Sequence, residues 1–190
     1  MYRMSRQEIV IGGFGGQGII LAGFIVGKAA SIFDGKNATL TQDYGPEARG
    51  GACRAQVVIS DNQISYPYVE NVSVLAVMSQ EAYTKYTPRL RQDAPLLIDE
   101  DLVKPKKSTN NKIFAIPATR IAQELGRTAV ANIVMLGFLT AVTRIVSIDA
   151  MKKSVLDSVP KGTEELNMKA FERGYAYGLE QLKATKGEEK

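Results

Sequence analysis

The chain has 190 residues, 45% of them hydrophobic, with 24 Lys and Arg against 20 Asp and Glu, one cysteine and no histidine. This length and apolar fraction suit one α/β domain with a sizeable core, and a net charge of +4 without a dense basic patch argues against nucleic-acid binding. A lone thiol excludes an internal disulfide, a Cys-type zinc site and an iron–sulfur cluster held by this chain, and the lack of imidazole excludes Ser-His-Asp and Cys-His triads.

Met1 to Gln7 lacks the apolar region and cleavage site of a signal peptide, so the protein is expected to be cytoplasmic. Glu8 to Gly12 reads as a short strand. A glycine turn follows and opens an apolar helix from Gln17 to Phe33, closed by Asp34-Gly35, glycine being the usual residue where a helix stops in a left-handed conformation. Ala38 to Thr41 is a second strand, which completes a βαβ opening. The next stretch, QDYGPEARGGA from Gln42 to Ala52, is too rich in glycine for regular structure, yet carries Asp43, Tyr44, Glu47 and Arg49. Cys53 to Ser60 alternates and is β-branched; with a turn at Asp61-Asn62 it predicts a β-hairpin whose returning strand is Ile64 to Tyr66.

Val72 to Met78 and Pro95 to Asp99 read as buried strands flanking a helix from Gln80 to Leu90, and Ile113 to Ile116 as one strand more. Lys104, Lys106, Lys107 and Lys112, interleaved with Pro105 and two asparagines, read as a solvated loop. The last third is helical: Ala118 to Leu125, Ala129 to Arg144, Ser147 to Val159 with Ser147 as N-cap, and Thr163 to Leu182 beyond Pro160 and Gly162. The longest apolar run, Ala129 to Val142, is interrupted by Asn132, Gly137 and Thr140 and falls short of the roughly 20 residues of a membrane span. Gly174 and Gly178 share one helix face and predict a close backbone approach within the subunit. The expected architecture is a single Rossmann-like α/β domain over residues 1–182, with a central mostly parallel sheet, one β-hairpin and a helical C-terminal third. A charged tail over residues 183–190 is expected to fray.

Chemistry concentrates in "IGGFGGQG", residues 11–18, where Gly13, Gly15 and Gly18 have the G-x-G-x-x-G spacing. A strand-to-helix turn of this kind lets backbone N–H groups point at a phosphate, at the positive end of the helix dipole. The full dinucleotide fingerprint also needs an acid at the end of the second strand; Asp43 lies near that place, but at the start of a glycine-rich loop. Three readings stay open on the pattern alone: a phosphate or nucleotide cradle, an NAD or FAD site, and pure turn geometry. Gln17 could contact a ligand or cap the helix, and Tyr44 could cover an adenine or, slightly preferred, pack under its loop. Glu47 and Arg49 read as a structural pair, a ligand contact or a subunit contact. Cys53, with no histidine to activate it, reads as a buried strand residue, and Asp99 with Glu100 as a solvated strand end.

Five segments in order, "GFGGQGIILAG", "QDYGPEARGGACRAQVVIS", "ISYPYV", "NIVMLGFLTAVT" and "ELNMKAFERGY", make the chain resemble the gamma subunit of the 2-oxoacid:ferredoxin oxidoreductases over nearly its whole length. The resemblance implies an accessory subunit, inactive alone, of an enzyme that converts a 2-oxoacid, coenzyme A and oxidised ferredoxin into an acyl-CoA, carbon dioxide and reduced ferredoxin. It favours 2-oxoglutarate as the 2-oxoacid. It further implies that thiamine diphosphate, magnesium and the iron–sulfur clusters lie on alpha, beta and ferredoxin-like delta partner subunits. In single-chain relatives the corresponding domain is associated with coenzyme A. Gly13, Gly15, Gly16, Gln17 and Gly18 are therefore expected to cradle its pyrophosphate, with Tyr44, Arg49, Gly50 and Gly51 contributing from the neighbouring loop. Asp43 departs from the serine of many relatives, and its charge would work against a nearby phosphate. The alternatives are an autonomous nucleotide-dependent oxidoreductase and a non-catalytic module that binds coenzyme A or a nucleotide.

Overall fold

The computed structural model describes residues 6–44, 52–106 and 110–188. Six strands form one sheet: β1 (Arg6–Phe14), β2 (Asn37–Asp43), β3 (Ala52–Ser60), β4 (Val74–Val77), β5 (Leu96–Asp99) and β6 (Ile113–Ile116), in the order β2-β3-β1-β4-β5-β6. β1, β4, β5 and β6 pair in parallel, whereas β3 is antiparallel to both β1 and β2. β2 thus runs parallel to β1 with β3 inserted between them, an open variant of the expected βαβ unit.

The returning strand expected at Ile64 to Tyr66 does not form, because β2 and β1 occupy both edges of β3 and leave it no edge to pair. The antiparallel partner of β3 in the hairpin position is β2. The segment after β3 is instead fastened to the sheet by side chains. Arg6 donates to the Tyr66 and Tyr68 carbonyls at 3.1 and 3.0 Å, Thr39 Oγ1 donates to Pro67 O at 3.1 Å, and the buried Glu8 carboxylate accepts from the backbone of Glu70 and Asn71 at 2.6 Å each.

The helices are α1 (Ile19–Lys28), continued by a wider turn over Ala29–Phe33, then α2 (Gln80–Tyr86), α3 (Ala118–Glu124), α4 (Ala131–Thr143), α5 (Ile148–Leu156) and α6 (Glu164–Glu188). Ser147 caps α5 as predicted, its hydroxyl accepting from Ala150 N at 3.1 Å. α6 continues to Glu188, through most of the segment expected to fray.

The period of two along the strands divides the core. Ile9, Ile11, Ala55, Val57 and Ile59 face α1 and the C-terminal helices, whereas Val10, Leu75, Val77, Leu96 and Ile98 face α2. α4 is buried almost all round, as a helix wedged against both the sheet and α6 must be. The α4–α6 crossing is a backbone contact: Gly137 rests on the Phe171 carbonyl, Gly174 on the Val134 carbonyl, and a Cβ at Gly178 would lie 2.7 Å from Ala141 Cβ. This is the close approach within the subunit that the spacing of Gly174 and Gly178 predicted. Among the described residues no helix is long and apolar enough to cross a membrane.

Candidate functional site

The glycine turn caps the C-terminal end of β1 and starts α1. Gly13 is packed too closely for a side chain, since a Cβ there would come within 2.5 Å of Gln17 Oε1 and 2.6 Å of Ile19 Cδ1. Gly16 and Gly18 take left-handed φ values of 96° and 71°, which only glycine adopts without strain. Gly18 is the N-cap of α1 and offers the helix no side-chain cap, so the first-turn N–H groups of α1 remain free of any side chain of the N-cap residue. Gly15 and Gly16 face open space, with nothing within 4 Å of an added Cβ.

Two amides hold the turn in this shape. Gln17 Oε1 accepts from Phe14 N at 2.7 Å and Gln17 Nε2 donates to Met78 O, just beyond β4, at 2.8 Å. Both ends of the Gln17 amide are thereby engaged by the chain's own backbone, and the residue braces the turn against the neighbouring strand. Asn132 is buried in α4, donates from Nδ2 to Gly18 O at 3.1 Å and accepts from Ile133 N at 2.9 Å. No room is left for a Cβ at Gly18, where the Asn132 amide already sits. Asn132 was not among the expected site residues. The signal available for it was a lone amide in an apolar helical run, since a buried amide requires partners.

The neighbouring loop starts and ends at the same end of the sheet. β2 finishes at Asp43, opposite Arg54, and β3 begins at Ala52, opposite Phe14, so the strand ends that flank residues 45–51 lie beside the turn. Arg49, Gly50 and Gly51, and Glu47 with them, lie outside the described residues. Tyr44 is not packed under its loop: it is 61% exposed and its hydroxyl donates to Gln42 Oε1 at 3.3 Å. The Asp43 carboxylate, expected to oppose a phosphate, lies 3.3 Å from Arg54 Nη2, which offsets its charge.

The remaining candidates are structural. Cys53 is 5% exposed, and burial pushes its thiol up from the ordinary range, which leaves it a poor nucleophile. Asp99 corrects the expectation of a solvated strand end, being fully buried. Its carboxylate accepts from Thr119 Oγ1 at 2.6 Å, Thr119 N at 3.0 Å and Asp101 N at 3.2 Å, and so joins the end of β5 to the first turn of α3. Glu100 pairs with Arg120 at 3.0 Å. Lys104, Lys106 and Lys112 are exposed, as a solvated loop should be, and Lys107 lies outside the described residues. Among the described residues no cluster of His, Cys, Asp and Glu could hold a metal ion.

Comparison with known proteins agrees with this architecture. The model of the pyruvate ferredoxin/flavodoxin oxidoreductase family matches residues 8–177. The chain is 52% identical over 178 residues to the 2-oxoglutarate synthase subunit KorC of Methanocaldococcus jannaschii, covering 92% of this chain and 95% of that one. The solved gamma subunit of a keto/oxoacid ferredoxin oxidoreductase from Geobacter sulfurreducens superposes with a TM-score of 0.84 at 43% identity, over 92% of this chain and 97% of that one. The 2-oxoglutarate:ferredoxin oxidoreductase of Magnetococcus marinus, solved with 2-oxoglutarate, coenzyme A and succinyl-CoA bound, shares the fold with a TM-score of 0.82 at 22% identity. The match covers 93% of this chain and 31% of that one. With the family model spanning most of the chain and two relatives similar over nearly their whole length, the chain belongs to the pyruvate ferredoxin/flavodoxin oxidoreductase family, as a gamma-type subunit of the 2-oxoacid:ferredoxin oxidoreductases.

Proposed function

We propose that this chain is the accessory subunit that receives coenzyme A in a cytoplasmic 2-oxoglutarate:ferredoxin oxidoreductase. The observation that carries the reading is the open backbone at Gly15 and Gly16, at the end of β1 and the start of α1, where nothing lies within 4 Å of an added Cβ. The fit to a pyrophosphate is electrostatic. The first turn of α1 contains no acidic residue, its N-cap glycine brings no competing side chain, and Arg54 offsets the Asp43 carboxylate. In this reading Gly13, Gly16 and Gly18 shape the turn, Gln17 and Asn132 hold it, and the backbone N–H groups of Gly15, Gly16, Gly18 and the first turn of α1 donate to phosphate oxygens, the Gln17 N–H being engaged by the Phe14 carbonyl. Tyr44, Arg49, Gly50 and Gly51 close the cradle from the neighbouring segment. The choice of 2-oxoglutarate rests on relatives at 52%, 51% and 49% identity that are 2-oxoglutarate synthase subunits.

Thiamine diphosphate, with its magnesium, and the iron–sulfur clusters supply the decarboxylation and the electron transfer to ferredoxin. One cysteine and no histidine cannot hold such clusters, so in this reading these groups belong to alpha, beta and delta partners. This chain's own task is to bind and orient the thiol donor.

The test is reconstitution with the partner subunits and measurement of 2-oxoacid-dependent dye reduction. Valine at Gly15 would block the open backbone and remove charge-assisted hydrogen bonds to phosphate. We expect KM for coenzyme A to rise at least about tenfold, with KM for 2-oxoglutarate unchanged. An unchanged KM for coenzyme A in the assembled complex overturns the cradle. Turnover by the lone chain overturns the accessory role, and a preference for pyruvate overturns the substrate assignment.

A further inference from the structure

A cavity of about 230 Å³ lies on the face of the sheet that carries α2, away from α1 and the glycine turn's helix. Val10, Arg54 and Gln56 form its floor, the fastened segment after β3 contributes Val69 and Glu70, and Tyr86 and Arg89 close the remaining side. Its walls are fixed. Gln56 Nε2 donates to Thr41 Oγ1 at 3.2 Å, and the Glu8 carboxylate holds the backbone of Glu70 in place. The Arg54 guanidinium is pinned between Asp43, 3.3 Å away, and the Tyr86 ring, whose centroid is 5.3 Å from Arg54 Cζ.

Two of the lining residues carry a buried polar atom without a hydrogen-bond partner, Arg54 Nε and Tyr86 Oη. Native proteins rarely leave such groups unpaired. Arg54 Nε–H can only donate, and burial pushes the Tyr86 phenol up, which keeps it protonated and able to donate. The unmet capacity around this cavity is therefore for an acceptor. Arg54 is already paired with Asp43, so formal charge around the cavity is balanced. The two unmet donors, together with Arg89, which makes no ion pair among the described residues, are what an acceptor group entering the cavity would meet, and Val10 and Val69 favour an aliphatic stem. The volume suits an acid of roughly four to six carbons.

We propose that this cavity binds a short-chain carboxylate, its oxygens held by Arg54, Arg89 and the Tyr86 hydroxyl and its stem lying on Val10 and Val69. The cavity lies on the opposite face of the sheet from α1, and Arg54, opposite Gly12 at the end of β1, is the residue it shares with the surroundings of the glycine turn.

The test is titration of the full chain with sodium butyrate, with butylamine as a cationic control of equal length. Butyrate should bind saturably with a dissociation constant on the order of 1 mM, and butylamine should not bind. Arg89→Gln, at an exposed position, and Tyr86→Phe, which deletes only the unpartnered hydroxyl, should each weaken butyrate about three- to tenfold. Tyr86→Phe should do so without lowering thermal stability, because its hydroxyl has no partner to lose. Arg54→Met should abolish binding; if that variant does not fold, the other two decide. Absence of saturable binding up to about 50 mM, equal binding of butylamine, or unchanged butyrate affinity in both Arg89→Gln and Tyr86→Phe overturns the proposal.

Discussion

The glycines of the turn make different contributions that single substitutions separate. At Gly15 an added Cβ meets nothing within 4 Å and the backbone is not left-handed, so Gly15→Ala should change stability by no more than about 0.5 kcal/mol. Gly16 is equally open but has φ 96°, so Gly16→Ala should cost about 1–2 kcal/mol through backbone strain alone. Gly18 combines a φ of 71° with a Cβ position occupied by the Asn132 amide. Gly18→Ala carries the same strain and also displaces the bond from Asn132 Nδ2 to Gly18 O, which leaves a buried amide unpaired, for a total of about 2–4 kcal/mol. Equilibrium urea unfolding of the isolated chain gives the three values directly. Coenzyme A affinity of the reconstituted complex should follow a different order, with Gly15→Val losing affinity despite its small stability cost. A Gly15→Ala variant as destabilised as Gly18→Ala would refute this reading of the turn.

Three further outcomes follow from the packing. Gly137→Ala drives a methyl onto the Phe171 carbonyl and to 2.8 Å from Tyr175 N, backbone atoms that yield only if α6 moves. Despite the better helix propensity of alanine, the net loss should be about 2–3 kcal/mol and Tm should fall by about 5–10 °C; an unchanged Tm contradicts the close crossing. Burial, opposed by the Thr119 and Asp101 hydrogen bonds, holds the Asp99 carboxyl above the usual range. Its folded pKa thus exceeds its unfolded value near 3.9, so its contribution is complete below that pH and is lost as pH rises through the folded value. The stability advantage of wild type over Asp99→Asn should accordingly shrink from about pH 4 upward in unfolding curves taken across pH, and an advantage that grows would be the wrong sign. The Cys53 thiol, raised by burial, should react with an aromatic disulfide reagent far more slowly in the native chain than in urea, and equal rates would show that it is not enclosed.

Local patterning determined much of this molecule. Alternation in β3, the cap at Ser147, Gly35 after the wider turn that continues α1 and the Gly174–Gly178 spacing each depend on interactions within a few residues or on one face of one element, and each is where it was expected. The order of short motifs likewise identified the family. The failures involve partners distant in sequence. Ile64 to Tyr66 has the composition of a strand, but pairing depends on which edges remain free, and β2 and β1 take both edges of β3. Asp99 ends its strand next to a second acid and looks solvated, until Thr119, twenty residues on, folds over it.

The glycine spacing by itself determined that a turn of this kind stands between β1 and α1, because the left-handed φ values at Gly16 and Gly18 and the closeness at Gly13 are requirements that only glycine meets. Tertiary structure decided what the other residues around it do. Gln17 reaches a carbonyl beyond β4, Asn132 comes from α4 to hold Gly18, and Arg54 offsets Asp43 from the adjacent strand. Such contacts join positions up to 114 residues apart, and no periodicity within an element records them, because they arise only when the sheet order sets which strand and helix ends meet.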